Sequence, residues 1–216
     1  MASFREAAMA APAAEAWRRA VGALNRVLRR LPPSGVYLLA FLLAALWFWR
    51  ALQGALGPDP ARALELQYGD WALQALIATL SVTPLMRFAG IRLMHLRRAL
   101  GVTVFFFALL HLLVWLFLDM QLLWAQIVSD ILKRPYITLG MTAFVLLLPL
   151  WLTSNNAAIR RLGRGWRRLH RLVWPVAVLA ALHFVLVVKG WPLRPFVHAG
   201  LIGALLALRF VPRRRI

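Results

Sequence analysis

His111 and His183 fall at about the same depth in two apolar segments that cross a membrane in the same direction. Imidazole is costly in hydrocarbon unless it is paired or ligated. Two imidazoles facing each other between helices are the ligand set of a bis-histidine haem iron. His111 stands twelve residues, or ~18 Å of helix rise, into a segment that starts near Ala99. His183 stands thirteen residues, or ~20 Å, beyond His170, where the second segment starts. A lone intramembrane histidine would favour ordinary hydrogen bonding or a proton relay; the matched pair favours axial ligation of one metal.

His170 is a third candidate ligand, placed near the membrane surface between Arg168 and Arg171. Thirteen residues fall about 140° short of four full turns, so His170 and His183 do not share a face of one ideal helix. A bend is needed for both to face the same axis, and Pro175 offers a cause for one. A second haem at the level of His170 would need a partner near positions 97 and 98, which are Arg97 and Arg98. His95 could substitute if the helix starts early, so a second haem stays open. His95 and His198 otherwise read as interfacial residues.

The elements that carry these histidines are set by hydropathy. Of 216 residues, 62% are apolar and 15% charged, and mean hydropathy is +0.71, more apolar surface than a soluble domain can hide. Apolar runs at 34–52, 71–87, 99–119, 136–152, 170–189 and 193–211 each approach the ~20 residues a spanning helix needs. Alternating the connections between two sides puts 20 of 26 Lys/Arg on one side; the other holds Arg50, Arg62, Lys133, Arg134, Lys189 and Arg194. The positive-inside rule makes the basic side cytoplasmic. The expected fold is an all-α integral membrane protein: a six-transmembrane-helix bundle, N-in/C-in. The net charge of +19 is explained by this flanking pattern, which argues against nucleic acid as a partner. Cysteine is absent, so thiolate metal sites and iron–sulfur clusters are excluded.

Residues 1–33 read as a cytoplasmic segment without the order of a signal peptide. Within it Trp17, Val21, Leu24, Leu28 and Leu31 recur at helical spacing among arginines, predicting an amphipathic interfacial helix over 13–31 that Pro32 and Pro33 end. The spanning domain covers 34–211, and 212–216 form a basic cytoplasmic tail. A short helix is expected around 61–66 in the outer 53–70 loop, and a surface helix within 120–135. No Gly-rich phosphate-binding fingerprint occurs, so nicotinamide chemistry would have to come from another protein. Gly101, Gly140, Gly200 and Gly203 suit close approach of a helix or a porphyrin, with ordinary helix packing the favoured role. Most tryptophans suit interfacial belts; Trp151 and Trp174 are candidates for bordering a quinone.

Several pieces together carry a resemblance: Arg97-Arg98-Ala-Leu-Gly101 entering the span of His111, Arg134-Pro-Tyr-Ile137, Thr153-Ser154, and Gly165-Trp-Arg-Arg-Leu-His170 leading to Leu182-His183. The chain resembles the ferric-reductase-like transmembrane family over nearly all of 34–211, and within it the MsrQ family of haem-binding membrane subunits. The resemblance implies haem b held by His111, His183 and His170, with an association with FMN. It implies electrons drawn from the quinone pool or a cytosolic flavin reductase. They pass to a periplasmic molybdopterin-containing subunit (MsrP-like) that reduces methionine sulfoxide in oxidised proteins. The membrane subunit is then an electron carrier of the bacterial inner membrane, not the catalytic subunit. Larger relatives pair two histidines with two; Arg97 and Arg98 depart from that pattern. Arg97, Arg98, Arg167 and Arg168 are candidates for haem propionates or an FMN phosphate, as Lys133 and Arg134 are for outer propionates or an acidic partner.

Two other readings compete. A self-contained quinol or ferric oxidoreductase of cytochrome b type would keep the haem, but the short outer loops offer no carboxylate or histidine cluster for a metal substrate. A haem-free transporter with a histidine proton path would call for carboxylates in the middle of the spans, where the sequence places none.

Overall fold

A computed structural model describes residues 2–188, 190 and 192–212, with residues 2–14 as backbone alone. The described residues form ten α-helices and no strands. Lys189, Trp191 and the basic tail beyond Pro212 lie outside the described residues.

Helix α1 (Ala2–Leu28) precedes α2 (Pro33–Leu52), with Pro32 and Pro33 separating them as the sequence requires. Helix α3 runs Pro60–Pro84 and continues as a π turn, Leu85–Ala89, closed by Gly90 in the left-handed conformation (φ 74°). A 3₁₀ turn, Met94–Leu96, leads into α4 (Arg97–Val114), which ends in a second π turn, Trp115–Asp119. Helices α5 (Trp124–Lys133) and α6 (Pro135–Leu152) follow. Short helices α7 (Asn156–Leu162) and α8 (Arg164–Leu169) and a 3₁₀ turn, His170–Leu172, lead to α9 (Val173–Val187). Helix α10 is Leu193–Ala207.

Five helical stretches are long and apolar enough to cross a membrane: 33–52, 60–89, 94–119, 135–152 and 164–187. The sixth predicted run is helical for 15 residues, ~22 Å, shorter than a full span by itself. The surface helix expected within 120–135 is α5.

The expectation for 53–70 needs correction. The turn around 61–66 is no separate helix; it is the start of α3, which begins eleven residues before the predicted 71. Asp59 accepts a hydrogen bond from the Arg62 backbone N–H (2.9 Å), and Pro60 supplies a preset φ at the first helical position. That cap starts the helix early and carries Glu65 and Gly69 onto α3. The helical stretch changes to a 3₁₀ turn at His170–Leu172, ahead of Pro175. Pro175 sits in the first turn of α9, where its missing N–H costs nothing.

Packing is closest between α3 and α4 and between α6 and α9. Leu76 and Leu80 of α3, Val176 of α9 and Ile202 of α10 are almost fully enclosed at the centre. Phe105 of α4 stacks on Phe144 (5.6 Å between ring centres) and Trp151 (4.5 Å) of α6, joining the two helix pairs. Helix α2 packs through Ala40 and Ala44 against Leu64, Tyr68 and Phe107, and the Tyr68 hydroxyl donates to the Ala44 carbonyl (2.8 Å). The other face of α2, with Phe41 and Trp49, stays exposed, as lipid contact demands. Arg194, at the start of α10, pairs with Asp70 of α3 (2.7 Å).

Helix α1 is tied to the bundle by one buried amide. Asn25 donates through Nδ2 to the Gly90 carbonyl (3.0 Å) and accepts through Oδ1 from the Arg92 N–H (2.8 Å). Replacing both bonds is beyond alanine, so Asn25→Ala should weaken docking of α1 by about 1–2 kcal/mol. Tryptic cleavage after Arg18 or Arg19 should then speed up by roughly tenfold. Unchanged cleavage would contradict this anchoring.

Candidate functional site

A cavity of about 390 Å³ opens among α3, α4, α6 and α9, within the range of small-molecule and cofactor pockets. His111 and His183 line it from α4 and α9, and each ring is half-buried. Their ring centres are 6.1 Å apart and their planes cross at 81°. Two imidazoles bound to one metal, at ~2 Å per bond and roughly 1 Å from nitrogen to ring centre, stand about 6 Å apart. The pair therefore has the spacing of two axial ligands before any metal is considered.

Hydrogen bonds fix which nitrogen is free. His111 Nδ1 lies 2.8 Å from the Glu65 carbonyl oxygen, and His183 Nδ1 lies 2.7 Å from that of Tyr136. A carbonyl only accepts, so each Nδ1 carries the proton and donates it, which leaves the lone pair on Nε2. A ring nitrogen that donates outward while the other ligates is the usual arrangement of a metal-bound histidine.

Charged groups gather at the mouth of the cavity, at the end of the bundle that holds Asp119. Arg62 Nη1 donates to Glu65 Oε2 at 2.8 Å; the Glu65 side chain is 6% exposed, that of Arg62 40%. Arg134 contacts Asp130 through Nε (3.1 Å) and donates through Nη1 to the Tyr136 hydroxyl (3.1 Å). Both arginines line the cavity with Asp70 and Asp119. At the cavity lining each guanidinium thus balances one acidic side chain of the protein.

The structure brings His111, His183 and Arg134 together and leaves the other candidates at the opposite end. His170 stacks on Trp166 (3.8 Å between ring centres) and donates through Nδ1 to the Trp166 carbonyl (3.1 Å), one turn back on its own helical stretch. Its Nε2 is buried without a partner among the described residues. Arg97 is half-buried nearby, within electrostatic reach of His170 and Arg209. Arg98 is exposed and donates to Asn156 Oδ1 (2.8 Å), while Arg168 is exposed on α8. His95 is exposed, so among the described residues no second histidine faces His170. His198 donates to the Arg194 carbonyl within α10 (2.8 Å) and packs edge-on against Phe184.

Sequence reasoning missed Glu65, Arg62 and the carbonyl of Tyr136. Glu65 falls in the short helix expected around 61–66, outside the spanning run, because its carboxylate and the neighbouring Asp70 break the apolar pattern. The Asp59-Pro60 cap was the signal that would have moved the helix start outward.

Fold and site define a class: a multi-pass α-helical membrane protein with two facing imidazoles in a cofactor-sized cavity. Residues 65–181 match the family described as ferric reductase like transmembrane component. A protein-methionine-sulfoxide reductase heme-binding subunit MsrQ of Brucella anthropi is 45% identical over 176 residues, covering 82% of this chain and 80% of its own. Proteins of the same name from Brucella ovis and Brucella suis are 44% identical over 174 residues, covering 81% of this chain and 79% of theirs. No solved structure matches. The chain belongs to the MsrQ family of ferric-reductase-like transmembrane proteins.

Removing Arg62 strands the Glu65 carboxylate against the cavity wall. Arg62→Ala should destabilise the protein by about 3 kcal/mol, the lower end for a broken buried pair because the arginine is partly exposed. Glu65→Gln on that background should restore most of the loss. A thermal-unfolding cycle in detergent checks this, and additive losses would contradict the pairing.

Proposed function

We propose that this chain is the electron-carrying membrane subunit of a methionine sulfoxide reductase system, and that it binds haem b between His111 and His183. The observation that carries the reading is the facing pair itself, 6.1 Å apart and with both Nδ1 protons donated to helix carbonyls. The name borne by the Brucella relatives supports the haem and the system. The donor set fits a low-spin haem: two neutral imidazoles with free Nε2 atoms, an apolar cavity wall, and Arg62 and Arg134 in the cavity lining, which could pair with the group's carboxylates.

Bound there, haem supplies one-electron chemistry at a potential set by its ligands and surroundings. The protein's residues do the rest. His111 and His183 fix the ligand geometry, Leu73, Val104, Phe144 and Val176 keep the cavity wall apolar, and the two arginines hold negative charge at the mouth.

In this reading the chain spans the inner membrane six times, N-in/C-in, with α10 as the short sixth crossing and α1 lying along the cytoplasmic face. The 34–211 region is the haem domain, between the 1–33 segment and the 212–216 tail. The arginine distribution supports the orientation. In that proposed orientation the Arg62–Arg134 mouth faces the periplasm, toward a periplasmic molybdopterin-containing catalytic subunit. Electrons enter from the other end, from quinone or a cytosolic flavin reductase. There Arg97, half-buried at the end of the bundle that holds His170, is suited to the phosphate of FMN. One haem is proposed, because His170 lacks an opposing histidine among the described residues.

A dithionite-reduced minus oxidised spectrum with haem quantitation tests the reading. Wild type should give a low-spin b-type spectrum at one haem per chain. His111→Ala or His183→Ala should abolish it, and His170→Ala should leave it. A folded wild-type protein without haem would overturn the proposal, and two haems per chain would overturn the single-site count.

A further inference from the structure

The two histidine seats share a construction. The acceptor carbonyls stand 46 and 47 residues before their histidines, on the helices that pack closest to them: Glu65 of α3 for His111 of α4, Tyr136 of α6 for His183 of α9. Each carbonyl already lies inside a helix, where it accepts the N–H four residues on and keeps one lone pair to offer. That lone pair is ordinarily covered. A helical Cα–Cβ bond tilts toward the N-terminus, so the side chain at i+4 lies over the carbonyl of residue i.

At both seats the residue at i+4 is glycine: Gly69 after Glu65, and Gly140 after Tyr136. A Cβ built on Gly69 would meet His111 Nδ1 at 3.0 Å and Cε1 at 3.2 Å. On Gly140 it would meet His183 Nδ1 at 2.8 Å and Cε1 at 2.9 Å, closer than non-bonded atoms approach. Neither backbone has a positive φ, so conformation does not demand glycine at these positions. By contrast, a Cβ on Gly200 or Gly203 of α10 would meet nothing within 4 Å.

We propose that Gly69 and Gly140 are the positioning residues of the two-histidine site. Each uncovers one helix carbonyl so that the facing imidazole donates its Nδ1 proton there and presents Nε2 to the metal. The proposal rests on the ligation reading above. It makes each α-helix pair, α3–α4 and α6–α9, a half-site built to the same plan. It also assigns Glu65 and Tyr136 a role through the main chain that does not depend on their side chains. Donation from Nδ1 makes the imidazole a stronger donor to the metal and favours the oxidised state.

The test uses full-length protein in detergent as wild type, G69A, G140A and G200A. G200A should keep wild-type haem content, spectrum and potential. G69A and G140A should each lower haem affinity by roughly 10–100-fold. The haem they retain should show a high-spin component and a raised midpoint potential. Unchanged affinity, spectrum and potential in both would overturn the proposal.

A haem-free cycle separates a seat from ordinary helix packing. In the apoproteins, G140A should lower the unfolding temperature while His183 is present and cost nothing further on the H183A background. Equal losses on both backgrounds would assign Gly140 to helix packing and overturn the proposal. A folded wild type without haem would overturn the haem reading, whereas this cycle would still decide on the seats.

Discussion

A neutral imidazole in hydrocarbon has one N–H that must be given away and one lone pair that must be used, and this molecule is arranged around meeting that demand twice. The hydrocarbon of a bilayer offers no acceptor, and a free carboxylate would bring its own charge cost. The remaining acceptors are helix carbonyls, whose spare lone pair the side chain one turn on ordinarily crowds; a glycine there leaves room for a whole imidazole ring. His111 and His183 take that solution against α3 and α6. Once each proton is committed, both Nε2 atoms are left for a common ligand, and the 6.1 Å spacing suits one metal. His170 uses a carbonyl of its own helical stretch instead and ends with a buried, unpartnered Nε2. The same chemistry without an opposing histidine makes half a site.

The rest of the bundle holds those two seats at a fixed separation. The seats belong to different helix pairs, so the distance between rings depends on how α4 meets α6. The stack of Phe105 on Phe144 and Trp151 fills that junction. Leu76, Leu80, Val176 and Ile202 lock α3, α9 and α10 behind it. The Tyr68 hydroxyl ties α2 to the back of α3 near the Glu65 seat. At the mouth, the pairing of Arg62 with Glu65 leaves the glutamate compensated while its carbonyl serves His111. One residue thus contributes a side chain to charge balance and a backbone atom to ligand orientation.

Much of this was legible in the residues and some was not. Hydropathy located five spanning helices and α10, because twenty apolar residues have few other fates. Matched depth singled out His111 and His183, since helix rise is constant. The expected start of α3 is late because Arg62, Glu65 and Asp70 interrupt the apolar run and leave 61–66 as a separate short helix, while in the structure they pair with Glu65, Arg62 and Arg194. The carbonyl acceptors could not be read, since every residue has one and sequence does not say which is uncovered. Sequence offers Gly140 for close approach of a helix or porphyrin and gives no sign of a role for Gly69, because a glycine's purpose lies in the neighbour it admits. The 3₁₀ turn falls at His170–Leu172, ahead of Pro175, whose position in the first turn of α9 makes it harmless there.

The central claim is that one metal is held by both imidazoles through Nε2. Electron–nuclear double resonance on the oxidised protein, grown with histidine carrying ¹⁵N at Nε2, reads this directly. The account predicts two strongly coupled labelled nitrogens on the iron in wild type. A spectrum with one such nitrogen or none, from folded protein carrying haem, would contradict it.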